Sequence, residues 1–196
     1  MIELYFGKPG SGKTTLLVKQ ALQELKKIKK GKSKYKYVLS NVRIKGIIFV
    51  DFDSLSKYMF KDCLILLDEI TLDADSREYK NFSKGHKEFF IMHRHFHCDI
   101  KLYTQVYNRI DKTIRDIVDR CYYIKKLIPF TFYYKIPSSI IIPEETGEIQ
   151  QGYIKPTRLQ KLLSIKIIYR PKYYKYFDSW YIRTNKILYD YEKYKV

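Results

Sequence analysis

At 196 residues with 45% hydrophobic content, the sequence suits one domain with a modest appendage, and a core of that size excludes wholesale disorder. Its 38 Lys and Arg against 21 Asp and Glu give a formal charge of +17, which favours nucleic acid or an anionic lipid surface as partner, although biased coding explains the same balance. With no signal peptide and no apolar run near the roughly 18 residues that cross a bilayer, the chain is expected to be soluble, or at most peripheral to a membrane.

Ile2–Phe6 is a short apolar run of β-formers broken by Gly7 and Pro9, which predicts a buried strand and then a loop. Leu16, Leu17, Ala21, Leu22 and Leu25 recur at helical spacing over residues 14–28, and Gly31 ends that helix. Residues 29–36 are basic and exposed. A second strand is expected at 37–42 and a fully buried third at Cys63–Leu67. Residues 82–96 predict a helix, 99–105 a fourth strand, 109–118 a helix through Ile110, Ile114, Ile117 and Val118, and 121–125 a fifth strand. Strands alternating with helices imply an α/β fold with a mainly parallel sheet. After Pro129 the character changes. Phe130–Ile136 and 140–142 read as strands and 144–147 as a turn, while the chain from Arg158 is basic and tyrosine-rich without a period. The expected division is a core over 1–128 and a basic, tyrosine-rich extension over 129–196. Cys63, Cys98 and Cys121 lie beside apolar residues without metal-type spacing, as buried free thiols of a reducing compartment do.

Gly7-Lys8-Pro9-Gly10-Ser11-Gly12-Lys13-Thr14 matches G-x-x-x-x-G-K-[ST] between a predicted strand and a predicted helix. The glycines let successive N–H groups turn inward on phosphates, where a β-carbon would block the turn. Lys13 places a cation between the β- and γ-phosphates, Thr14 ligates magnesium, and Thr15 continues into the helix whose positive end faces the anion. The ligand expected is ATP with magnesium. Cys63–Leu67 then runs into Asp68, a carboxylate for the magnesium shell, and Glu69, placed to polarise a water for in-line attack. The adjacent Glu points to hydrolysis over kinase transfer. Gln105, taken alone, reads as an ordinary polar residue at a strand end.

His93, His95 and His97 sit at alternate positions, which splay by about 200° on a helix and do not converge on one ion. That block reads as positioning for Arg94 and as helix packing. The basic run 26–36 and the tail around 169–181 combine cations with aromatic rings, which suits single-stranded DNA and equally a solvated helix end with a packed tyrosine cluster.

Ser76-Arg77, Phe89-Phe90, His93-Arg94-His95-Phe96, Asp99-Ile100, Thr104-Gln105 and Asp111-Lys112-Thr113-Ile114-Arg115 follow one another in a characteristic order. With the loop, Asn41 and Asp68-Glu69, residues 1–125 resemble the zonular-occludens-toxin-like family, which includes the assembly ATPases (gene I proteins) of filamentous bacteriophages. The resemblance implies a P-loop ATPase with an additional strand between the phosphate-loop strand and the Asp68 strand, bringing Gln105 to the γ-phosphate as a sensor. It also implies an oligomeric motor that drives virion assembly and export of single-stranded DNA at the host inner membrane, with coat or assembly proteins as partners. Longer members carry a transmembrane helix after the ATPase domain, so membrane contact is expected here from a partner, from the basic surface, or not at all. The expected place is the host bacterial cytoplasm or the inner face of its membrane. Arg77, Arg94 and Arg115 compete as the finger that completes a neighbouring subunit's site in a homo-oligomeric ring. A small nucleoside or nucleotide kinase, and a nucleotide-gated adaptor with little hydrolysis, are the alternatives.

Overall fold

The computed structural model describes residues 1–69, 83–141 and 150–177. Its strands run β1 (Ile2–Phe6), β2 (Tyr37–Ser40), β3 (Ile48–Phe49), β4 (Cys63–Leu67), β5 (Asp99–Thr104), β6 (Arg120–Leu127), β7 (Phe130–Ile136), β8 (Ser138–Ile141), β9 (Gln150–Tyr153) and β10 (Lys166–Tyr169). Eight of them form one sheet in the order β10-β7-β6-β1-β5-β4-β2-β3. From β6 through β3 every pairing is parallel, whereas β6–β7 and β7–β10 are antiparallel. β8 and β9 form a separate two-stranded ribbon. The strand inserted between β1 and β4 is β5, the arrangement that the family resemblance implies.

A parallel sheet covered on both faces needs strands that are apolar throughout. All five residues of β4 are buried, and Ile2, Leu4 and Tyr5 of β1 lie at or near zero exposure. Alternation then divides the side chains. Ile2, Leu4, Ile65, Leu67, Ile100 and Leu102 face one core, and Tyr5, Leu64, Leu66 and Tyr103 face the other. The second core is roofed by α1 (Lys13–Lys29) through Leu16, Leu17, Val18 and Ala21. Its last turn carries Lys26, Lys27 and Lys29, which suit the negative end of the helix dipole. The first core lies under α2 (Ser54–Lys57), α3 (Lys84–Met92) and α4 (Lys112–Asp116), which contribute Leu55, Phe89, Phe90 and Ile114.

Several expected elements are shorter than their apolar pattern, each for a local reason. The strand expected at 37–42 stops at Ser40 because Asn41 turns its amide toward Asp68. The helix expected over 82–96 is capped by Ser83, whose side chain accepts from the His86 N–H, and it ends at Met92. Residues 93–97 then turn into β5, with the Asp62 N–H donating to the Phe96 carbonyl at 2.9 Å. The helix expected over 109–118 divides into a 3-10 turn, Tyr107–Arg109, and α4, where Asp111 accepts from the Thr113 N–H at 2.8 Å. Beyond residue 157 the chain forms α5 (Arg158–Ser164), then β10, then a 3-10 helix, Pro171–Tyr176. The turn expected at 144–147 lies outside the described residues.

Three of the four histidines have side-chain contacts within the fold. His86 stacks on Phe52 with ring centroids 4.3 Å apart, with its Nε2 3.0 Å from the Phe52 carbonyl. His93 is buried with Nδ1 2.7 Å from the Phe90 carbonyl, and His97 lies 3.2 Å from Asp62. Cys63, Cys98 and Cys121 are free and buried. Among the described residues no helix is long and apolar enough to cross a membrane.

The basic segment before β2 is tied down at Asp99. That carboxylate accepts from Lys34 at 2.7 Å, from the N-terminal ammonium at 2.6 Å and from the Tyr35 hydroxyl. Tyr35 is therefore engaged in the fold. Burial by itself raises the Asp99 carboxyl, but hydrogen bonds from Lys34, the N-terminal ammonium and Tyr35 hold it at about 2. A carboxylate depressed from the usual value near 3.9 contributes stability that is complete above that value and is lost as pH falls through about 2. Asp99→Asn is expected to cost on the order of 2 kcal/mol at pH 7, with the gap from the parent narrowing as pH drops from about 4 toward 2. Urea unfolding of both proteins across that range checks it. A gap unchanged with pH would mean the carboxylate charge is not what holds the segment.

Candidate phosphate-binding site

The carboxyl ends of β1, β5 and β4 lie at the same end of the sheet: Phe6 pairs with Thr104, and Leu67 with Leu102, so β4 stops two residues sooner than β5. The residues that follow these strands, Gly7, Gln105 and Asp68, therefore meet at one edge. From Gly7 the loop folds back to start α1 at Lys13, with Gly12 at φ 95° as the capping residue. That left-handed backbone favours glycine, and a β-carbon at Gly12 would run into Thr131. Gly7 is held by a different constraint. A β-carbon there would meet the Ile124 carbonyl at 2.5 Å and the Ser11 hydroxyl at 2.9 Å.

Lys13 is 5% exposed, and its ammonium donates to the carbonyls of Gly7 at 3.1 Å and Lys8 at 3.4 Å. It lies 3.8 Å from Glu69. Burial lowers its pKa, while Glu69 and Asp68 pull the other way. Asp68 is buried as well, and burial raises its carboxyl against the lowering effect of the Thr14 hydroxyl bond. Thr14 Oγ1 donates to Asp68 Oδ2 at 2.5 Å, so a hydroxyl and a carboxylate, both hard oxygen donors, already converge. Asn41 clamps the backbone of Asp68 from both sides, accepting from its N–H at 2.7 Å and donating to its carbonyl at 3.0 Å.

Glu69 sits at φ 49°, a left-handed conformation costing a non-glycine residue about 1–2 kcal/mol. Its carboxylate accepts from the Gln105 amide at 2.9 Å. The candidate base and the candidate sensor are thus in direct contact. Together Pro9, Gly10, Lys13, Thr15, Glu69 and Gln105 line a cavity of about 420 Å³. Ser11 Oγ is buried without a hydrogen-bond partner among the described residues. An orphaned hydroxyl, a cradle that a β-carbon would fill and paired oxygen donors fit a nucleotide phosphate with magnesium.

The arginines do not join this cluster. Arg94 is ion-paired to Asp119 at 2.5 Å, and Asp119 also accepts from the Ile2 N–H, at the opposite end of β1 from Gly7. Five strand residues separate those ends by about 16 Å. Arg115 lies on the α4 side in a different cavity, of about 590 Å³, over the Tyr107 ring at 5.8 Å. Arg77 lies outside the described residues.

Sequence reasoning missed four residues here. Thr131, fully buried in β7, donates to the Ser11 carbonyl at 2.9 Å and so holds the phosphate loop from beneath. Arg170, Tyr174 and Phe177 line the cavity from the other side. Pro129 and the strand pattern after it could have suggested a hairpin returning along β6, hence contact with the loop. Nothing in the aperiodic tail signals Arg170 or Tyr174.

Thr131→Val keeps the shape and removes the hydroxyl, leaving the Ser11 carbonyl without that bond. The expected cost is about 1–3 kcal/mol of stability together with weaker nucleotide binding. Thermal unfolding and nucleotide titration of the two proteins check both, and an unchanged melting temperature with unchanged affinity would remove Thr131 as a buttress.

The sequence profile described as zonular occludens toxin (Zot) matches residues 1–169. No curated protein sequence matches the chain at significant similarity. Among solved structures, the N-terminal domain of zonular occludens toxin from Neisseria meningitidis is similar at 17% identity, covering 90% of this chain and 98% of that one, with a TM-score of 0.56. The genome packaging NTPase B204 from Sulfolobus turreted icosahedral virus 2, in complex with ATP-gammaS, aligns at 13% identity over 80% of this chain and 97% of its own, with a TM-score of 0.48. On the profile match over residues 1–169 and the P-loop architecture that accompanies it, the chain belongs to the zonular occludens toxin (Zot) family.

Proposed function

We propose that this protein is an ATP hydrolase that works as an oligomeric motor in the assembly of a filamentous phage or prophage virion and the export of its single-stranded DNA. The observation that carries hydrolysis is the placement of Glu69, held by the Gln105 amide at 2.9 Å and 3.8 Å from the Lys13 ammonium beside the phosphate loop. The assignment to phage assembly rests on family membership over residues 1–169.

In this reading the loop N–H groups from Gly7 to Thr15 bind the phosphate oxygens, and Lys13 offsets charge at the β–γ bridge. Thr14 and Asp68 hold magnesium, which neutralises charge on the β- and γ-oxygens when bound. Glu69 accepts a proton from the attacking water as its oxygen bonds to the γ-phosphorus and the bond to ADP breaks. Gln105 has one amide group to share between Glu69 and a γ-phosphate oxygen, so its hydrogen bonding reports which nucleotide is present. Residues 1–128 carry the hydrolytic groups and 129–196 form the extension, with Thr131 supporting the loop. Arg115, at the same sheet edge but on the opposite face from α1, is our choice for a finger acting on a neighbouring subunit. Coat or assembly proteins at the inner membrane and single-stranded DNA are the proposed partners, with the protein in the host cytoplasm or on the inner face of the membrane.

Phosphate release from ATP, with no acceptor, is measured across a protein concentration series for the parent and for Glu69→Gln. Turnover per chain is expected to rise with concentration and to fall by about a hundredfold or more in the variant. ATP binding without release in the parent would turn the reading toward a kinase or a nucleotide-gated adaptor. Mixing Arg115→Ala with Lys13→Ala subunits is expected to restore part of the activity that each lacks alone. If assembled mixtures stay inactive, Arg115 is not the finger.

A further inference from the structure

The cavity at the phosphate loop has a second wall that no motif accounts for. Arg170, Tyr174 and Phe177 form it, all from the segment that follows β10. The fold fixes this segment at several points. β10 pairs antiparallel with β7, the Arg170 N–H donates to the Pro129 carbonyl at 3.1 Å, and the Tyr173 N–H donates to the Arg170 carbonyl at 3.0 Å. In a 3-10 helix, residues three apart share a face. Tyr173 and Tyr176 accordingly pack on the core under α1, whereas Tyr174 lines the cavity, and Phe177, extended after the helix, touches both. Tyr174 remains 48% exposed there.

Arg170 gives a second, independent observation. Its Nε is buried and has no hydrogen-bond partner among the described residues. It lies 3.4 Å from the point where a β-carbon on Gly12 would sit, directly against the phosphate loop. A guanidinium N–H left unpaired beside a cradle of inward N–H groups suits an anionic oxygen. On the reading above Glu69 and Gln105 act at the terminal phosphate, so Arg170, on the other wall of the same cavity, is left to the phosphate next to the sugar.

We propose that residues 166–177 build the nucleoside half of the site: Arg170 bonds the sugar-proximal phosphate, and the Tyr174 ring stacks on the base with Phe177 beside it. This rests on the nucleotide reading of the phosphate loop given above. Recognition is of a base by its face, so the Tyr174 ring matters and its hydroxyl does not. The same sheet edge that supports the loop through Thr131 thus supplies the wall against which the nucleoside lies.

Titrations of the full chain with magnesium-ATP and with magnesium tripolyphosphate, which has phosphates but no base, separate the contributions. Tyr174→Ala is expected to weaken ATP binding roughly tenfold and to leave tripolyphosphate binding unchanged, with Tyr174→Phe at the parent level. Arg170→Ala is expected to weaken both ligands roughly tenfold or more, as is Lys13→Ala. The half-exposed Tyr174 can be changed without disturbing the core, so its variants are informative even if Arg170→Ala folds poorly. If Lys13→Ala loses ATP while Tyr174→Ala and Arg170→Ala bind it like the parent, the nucleoside assignment is overturned and the phosphate loop stands. If the parent binds neither ligand, the phosphate-loop reading itself is overturned.

Discussion

Strand register is the constraint on which everything at this site depends. Phe6 opposite Thr104 puts Gly7 beside Gln105, and Leu67 opposite Leu102 ends β4 two residues sooner, so that Asp68 and then Glu69 turn toward them at the same end of the sheet. Side chains alternate along a strand, and a slip of one residue would send Leu66 and Tyr103 to the wrong core. The two cores enforce the register because they differ in kind. Both are largely aliphatic, but one adds the Phe89–Phe90 pair and the other a stack of tyrosines, Tyr5 lying 5.0 Å from Tyr103 and 4.7 Å from Tyr122. The stacked rings and the phenylalanine pair have different shapes, so alignment of the phosphate-loop edge is a consequence of packing that occurs away from it.

Electrostatics at that edge are balanced closely enough that each charged group depends on its neighbours. Lys13 is buried, which penalises its charge, and two carboxylates within reach offset the penalty. Asp68 is buried too, and its own charge is disfavoured by desolvation and by Glu69. Two acids around one lysine leave the inner site poorly suited to a bare triphosphate. The additional cations come from outside the motif: Lys126 near Gly10, and Arg170 near Gly12. The large positive charge of the chain is thus partly spent locally, around the loop. Basic residues elsewhere do other work, as Lys34 does at Asp99 and Lys101 at Glu3.

Elements with an unambiguous burial pattern were legible in the sequence. Cys63–Leu67 and Phe130–Ile136 match the described strands residue for residue, one as a run buried throughout and the other as a run of aromatic and β-branched residues. The G-x-x-x-x-G-K-[ST] motif lies between strand and helix as its chemistry requires. What stayed hidden depends on partners distant in sequence. β3 has two residues, both exposed, and exists only through pairing with β2. α5 buries none of its residues and leaves Leu162 and Leu163 more than 70% exposed, so its pattern does not identify a core face. Asn41 ends β2 two residues early because its amide clamps Asp68, 27 positions away. The second wall of the site follows the same rule: Arg170 is placed by a bond to the Pro129 carbonyl, 41 positions earlier, and no local period encodes that.

The extension therefore has a closer relation to the core than a change of composition at Pro129 suggests. β7 continues the sheet beyond β6, and its Thr131 reaches beneath the loop to the Ser11 carbonyl. β10 adds the next strand and delivers the segment that packs on α1. A phosphate loop is a run of backbone with few side chains of its own to hold it, and its N–H groups point at a ligand and not at the fold. Something outside the motif must fix its position, and here that support comes from the strand pair after Pro129. Any rearrangement of β7 and β10 would move Thr131 and Arg170 together, since both lie against the side of Gly12 where a β-carbon would sit. On the proposed function, nucleotide bound at this loop would be sensitive to the extension, and the extension to nucleotide, because binding linkage acts equally in both directions.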